Sequence, residues 1–242
     1  MREKEKREEL RRIVLKKGEI NAEGSVYVEA GKTKVMITVS IENKVPQFLK
    51  GTGEGWIKAY YWMHPRAVDD RKPIEMRIKD KRSIELSRII SRVLRGGVDR
   101  KKIGEYTLLC DVEVLQADGS TRALAITGAS CAIYQALNFM KKNNLIKEFP
   151  DFELVCGITV GKMGNEIYLD LSYEEDHLCE FDLNLFFTES GKILEIQGTS
   201  ERRGIDINFL NLMIERAREK VVEIFEIQRE FLKKYPYARE DF

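Results

Sequence analysis

The chain has 242 residues, 43% of them hydrophobic, enough to bury a core without covalent staples. Its 41 basic and 40 acidic residues leave a net charge of +1, which excludes a globally basic nucleic-acid binder and makes any phosphate affinity a matter of local charge segregation. Four widely spaced cysteines (Cys110, Cys131, Cys156, Cys179) without ligand spacing read as reduced core thiols, and no apolar run approaches the ~20 residues that cross a bilayer, so a soluble cytoplasmic protein is expected.

Met1 to Arg12 is dense in Lys, Arg and Glu and is expected as an exposed arm that contributes little core. From Gly24 to Ser40, Val26, Val28, Val35, Ile37 and Val39 recur at period two around a Gly31-Lys32 turn, which predicts a β-hairpin. A further strand covers Gly55 to Met63 and ends at Pro65. Pro65 to Lys81 has no periodicity and reads as a long loop. Ser83 to Leu94 places Leu86, Ile89, Ile90, Val93 and Leu94 on one helical face, with Arg88, Arg92 and Arg95 elsewhere on the helix and Gly96-Gly97 as its stop.

Tyr106 to Leu115 alternates as a strand, followed by a helix from about Ala123 to Met140 rich in Ala, Ser and Gly, suited to close packing on a sheet. Strands recur at Leu154 to Val160, Glu166 to Ser172, Glu180 to Thr188 and Lys192 to Gly198, and a long amphipathic helix buries Leu210, Met213, Ala217, Val221, Ile224 and Phe231. Strands followed by helices, twice over, predict an α+β fold with mixed or antiparallel sheets in one domain spanning 1–242.

Two segments carry chemistry. Asp118-Gly119-Ser120-Thr121-Arg122 opens a helix, so backbone N–H groups, hydroxyls and the positive helix end can face an anion while Arg122 adds a forked donor; the plainer alternative is a helix cap. The acidic run from Asp170 to Asp182 contains Asp176 and Asp182, roughly 20 Å apart on a straight strand, so their convergence needs a bend, expected as a hairpin loop over Tyr173 to His177. Converging carboxylates would bind Mg²⁺ or protonate a leaving oxygen, whereas an isolated acidic tip would do neither. From Arg66 to Lys102, thirteen basic residues against six acidic leave +7, either a solvated surface or a track for a phosphate backbone.

Gly51-x-Gly53-x-Gly55-Trp56, Met63-x-Pro65-Arg66, Arg82 through Arg95, Leu115 to Gly119, Thr121-Arg122, Thr127-Gly128-Ala129, Asp170-Leu171, Glu175-Asp176, Asp182-x-Asn184 and Glu195-x-Gln197-Gly198-Thr199 together resemble ribonuclease PH. The resemblance runs from about Leu10 to the final helix, in constant order and near-constant spacing. It implies paired β/α halves of the ribosomal-protein-S5 domain 2-like type, a homohexameric ring built as a trimer of dimers, and 3′-to-5′ trimming of precursor tRNA by inorganic phosphate. By that resemblance Arg82, Ser120, Thr121 and Arg122 hold phosphate, Asp176 and Asp182 are catalytic carboxylates with Mg²⁺ as partner, and Arg66 and Arg71 contact RNA. The sequence departs from the family pattern at Ser120, where glycine is usual, at Tyr60, where an acidic residue is usual, and in the shortened Lys79-Asp80-Lys81 stretch before Arg82. Rival readings are a ring subunit of exosome type that binds RNA without cutting it, and an enzyme using the same site on another nucleotide substrate.

Overall fold

The structure, a computed structural model, describes residues 7–76, 80–200 and 204–239. The first six residues of the charged arm, and Arg77 and Lys79 of the basic stretch, lie outside the described residues. Period-two alternation builds a first sheet from β1 (Ile13–Lys17), β2 (Gly24–Ala30), β3 (Thr33–Glu42), β4 (Trp56–Met63) and β5 (Thr107–Gln116), in the order β1-β2-β3-β5-β4. Neighbours are antiparallel except β4, which runs parallel to β5. The second sheet, β6 (Val155–Met163), β7 (Glu166–Leu169), β8 (Phe181–Thr188) and β9 (Ile193–Ser200), is antiparallel in the order β7-β6-β8-β9. The α+β architecture with one mixed and one antiparallel sheet is therefore as the sequence indicates. In the first hairpin, Val26 pairs with Ile37 and Val28 with Val35, and Gly31 takes the turn at φ +56°.

Four α-helices complete the fold: α1 (Lys81–Gly96), α2 (Thr121–Lys142), α3 (Tyr173–Leu178) and α4 (Ile207–Lys234). Helix α2 lies between the sheets, against β2 and β3 on one side and β6 on the other. Its small residues permit that approach: a Cβ on Gly128 would stand 2.7 Å from Ile37 Cδ1, and one on Gly157 of β6 would stand 2.7 Å from Ala123 Cα. One apolar cluster runs from the first sheet through α2 to β8 and α4, where Met213, Ala217, Val221, Ile224 and Phe231 are buried and Leu210 is partly so.

Three expectations need correction. The arm is not idle, because Leu10 packs against the core and Arg11 is nearly buried, and Ile13–Lys17, which the sequence reading left unassigned, forms the edge strand β1. The segment Tyr173 to His177 is a helical turn, α3, and not a hairpin loop. Finally, α2 is long and apolar enough to cross a bilayer by length and composition, but 89% of its most apolar window is buried between the sheets, as expected of a core helix.

Candidate active site

Two helix starts deliver the cationic side of the site. Asp80 caps α1 by accepting from Ser83 N at 3.2 Å, which fixes Arg82 in the first turn with its side chain exposed. Helix α2 begins after two left-handed residues, Gly119 (φ +74°) and Ser120 (φ +51°). Gly119 has no substitute here, because a Cβ would meet Leu171 O at 2.3 Å. The Ser120 hydroxyl does not cap α2; it pairs with Thr159 Oγ1 and donates to Leu171 O at 2.9 Å. Thr121 Oγ1 accepts from the buried Tyr61 hydroxyl at 3.0 Å, and Arg122 follows in the first turn.

The anionic side comes from the second half of the chain. Asp170, at φ +53° and nearly buried, receives Arg11 Nε at 2.9 Å and Nη2 at 2.8 Å. Arg11 Nη1 also donates to Asp118 O at 2.6 Å, so one side chain clamps both loops that flank the site. Ser172 and Glu175 then form a reciprocal capping box that starts α3. This short helix supplies the bend that a straight strand lacked, and it brings Asp176 back towards Asp182 at the start of β8. Arg82, Arg122, Asp176 and Asp182 line one cleft of about 1200 Å³, floored by Gln197 and Thr199 of β9.

Electrostatics follow from this crowding. Burial and the neighbouring Arg82 lower the Arg122 pKa, opposed by Asp182 and Asp176. Loss of solvent on the cleft side raises the Asp176 pKa although the residue is exposed, and Arg122, Arg82 and His177 only partly offset this. Burial likewise raises the Tyr61 hydroxyl, which therefore stays a proton donor to Thr121. Cys179 faces the same cleft, but desolvation and the nearby carboxylates push its thiol up to about 12, which removes it as a nucleophile.

Not every residue singled out in the sequence converges. Arg66 and Arg71 are exposed on the loop after β4, away from the cleft lining, and Arg66 Nη1 donates to Asp69 O at 2.7 Å. Ser120 and Thr121 are also outside the cleft lining, and the Ser120 hydroxyl is engaged by Thr159 and Leu171. Among the described residues no group of three or more His, Cys, Asp or Glu side chains has an arrangement that could hold a metal ion between them. Two carboxylates do fit Mg²⁺, which keeps several waters and takes one or two carboxylates with substrate phosphates. Tyr61 and Arg11 were not singled out from the sequence. For Tyr61 the signal was available, since period two puts its ring inside, where a hydroxyl needs a partner.

Two family descriptions match the chain, "3′ exoribonuclease family, domain 1" over residues 9–137 and "3′ exoribonuclease family, domain 2" over residues 153–220. Among solved structures, rice (Oryza sativa) Rrp46 superposes with a TM-score of 0.75 at 17% identity, covering 93% of this chain and 97% of that one. The Archaeoglobus fulgidus exosome with RNA bound to the active site gives 0.74 at 21% identity over 93% and 89% of the two chains. An archaeal exosome core gives 0.70 at 19% identity over 93% and 88%. These likenesses establish the shared fold, and the family matches bear out the resemblance to ribonuclease PH. With both family regions in one polypeptide and the arginine and carboxylate sides meeting in one cleft, the chain belongs to the 3′ exoribonuclease family.

Proposed function

We propose that this protein is a phosphorolytic 3′-to-5′ exoribonuclease, reversible as a nucleotidyltransferase, acting in the cytoplasm on the 3′ ends of tRNA precursors or other RNA as a homohexameric ring. The observation that carries the reading is the convergence of Arg82, Arg122, Asp176 and Asp182 from four separate elements on one cleft. Phosphate and an RNA terminus are both anions, and their encounter needs fixed cations. Arg82 and Arg122, each in the first turn of a helix, present forked donors beside positive helix ends, with Thr121 and the Ser120 backbone at the same turn.

A phosphate oxygen attacks the last internucleotide phosphorus, and the bond from that phosphorus to the preceding ribose 3′ oxygen breaks. The products are a nucleoside diphosphate and an RNA shortened by one nucleotide. Arg122 and Arg82 are preorganised for charge that builds on the transferring oxygens. Asp176 and Asp182 would hold Mg²⁺, which when bound supplies further neutralisation between the two anions. Where Asp176 does not ligate the metal, its raised pKa suits it instead to protonate the leaving 3′ oxygen. Arg66 and Arg71, outside the cleft, are assigned to RNA upstream of the cut.

One observation favours a second reading, a ring subunit that holds RNA without cutting it: Ser120 and Thr121, expected to hold phosphate, are not among the residues that line the cleft with Arg82, Arg122, Asp176 and Asp182. The two separate when a 3′-extended RNA is incubated with Mg²⁺, with and without inorganic phosphate. Nucleoside diphosphates should appear only with phosphate, and Asp182→Asn should abolish them while RNA binding persists. RNA that binds but stays intact in both conditions would favour the scaffold.

A further inference from the structure

A chain of hydrogen bonds leads from the outer surface to Arg122. Arg92 of α1 grips Glu195 of β9 with two bonds, Nε to Oε2 at 2.7 Å and Nη2 to Oε1 at 2.6 Å. Glu195 Oε1 accepts from Gln197 Nε2 at 3.2 Å, and Gln197 Oε1 accepts from Arg122 Nη1 at 2.7 Å. Glu195 and Gln197 are two apart on a strand, so their side chains leave the same face and can meet. The outermost link is open, with the Arg92 side chain 61% exposed, and the Glu195 carboxylate is covered, at 10%.

The chemistry of each link fixes the next. A carboxylate only accepts and a guanidinium only donates, so an amide between them has one satisfying orientation, NH₂ to Glu195 and oxygen to Arg122. Gln197 therefore holds the Arg122 guanidinium by a bond from a neutral group. A carboxylate in its place would hold Arg122 too, but would neutralise it and compete with any anion in the cleft. Arg92 does the complementary work by balancing the Glu195 charge, which keeps that carboxylate from drawing on Arg122 itself.

We infer that Gln197 is a positioning residue: with Glu195 and Arg92 it forms an orienting relay that aims Arg122 at the phosphate co-substrate while leaving its positive charge unspent. The inference rests on the phosphorolytic reading of the cleft and adds to it a determinant of phosphate affinity outside the phosphate-binding residues.

The test is steady-state phosphorolysis at varied phosphate for Gln197→Ala, Gln197→Glu and Arg92→Ala. Gln197→Ala should raise the phosphate KM several-fold with kcat little changed. Gln197→Glu should raise it further, by roughly tenfold or more, as expected for a new charge-assisted pair on Arg122. Arg92→Ala, a change on the solvent-exposed link, should raise KM in the same direction as Gln197→Ala. A Gln197→Glu protein with an unchanged phosphate KM, or with only the effect of Gln197→Ala, would overturn the relay, as would a loss confined to kcat. Calorimetric titration of inorganic phosphate into the parent and Gln197→Glu proteins reads the relay even if no nucleotide is released, so failure of the relay and failure of phosphorolysis are told apart.

Discussion

Asp176 and Arg122 show how the site sets its residues against their own solvation. Each loses water, each is shifted towards its neutral form, and each is partly restored by the other's charge. For Asp176 the raised pKa is also a statement about stability. The folded state keeps the proton to higher pH than the unfolded chain, so this carboxyl's own contribution to stability is fully present below the ordinary carboxylate value of 3.8 and is lost as pH rises through the folded value. Asp176→Asn removes that loss. In urea titrations of the ligand-free protein, the variant should gain on the parent at neutral pH relative to acid pH, by less than about 1 kcal/mol because the carboxylate is partly solvated. A difference that is flat with pH, or reversed, would show that the carboxylate is not penalised by its surroundings. Residue identities at this scale were legible as a pattern, since Arg82, Arg122, Asp176 and Asp182, all singled out in the sequence, line one cleft. What each hydroxyl and amide does was not, because Ser120 turning to Thr159 and Gln197 turning to Arg122 depend on chains that meet only in the fold.

Among the elements, those with a long repeating period were readable and those without one were not. The first hairpin, α1 and α4 follow from period two or 3.6 sustained over many residues, and α2 from its small-residue composition. β1 has only Ile13, Val14 and Leu15 between charged neighbours, and its pairing with β2 is what makes it a strand. α3 has six residues, too few for periodicity to register, yet Ser172-x-x-Glu175 carried the signature of its start. That cap carries the placement of Asp176. Ser172→Ala should cost about 1 kcal/mol in chemical denaturation and lower turnover more than RNA affinity, because it loosens the carboxylate to which we assign a part in the chemistry and leaves both arginines in place. Equal turnover in parent and variant would mean that α3 holds its position without the cap.

Across the whole molecule, the site exists because distant parts of the chain are locked together. Arg11 and Asp170 are far apart in sequence, yet their paired, nearly buried charges join β1's leading residues, the turn before α2 and the turn before α3. Nothing in local sequence could announce this, since an Arg in a charged arm looks solvated until its partner is known. Removing one member of a buried pair typically costs about 3–5 kcal/mol, a large share of the ~5–15 kcal/mol that holds a domain together. Arg11→Ala should fall in that range by urea unfolding and reduce turnover through displacement of Gly119 and Leu171. A loss below about 1 kcal/mol would place the pair among weak surface contacts. The measurement that bears most directly on the central claim follows labelled inorganic phosphate during degradation of a 3′-extended RNA. The account predicts that the label enters the terminal phosphate of each released nucleoside diphosphate, one per nucleotide removed. Release of unlabelled nucleoside monophosphates, or label that stays inorganic while RNA is bound and intact, would contradict it.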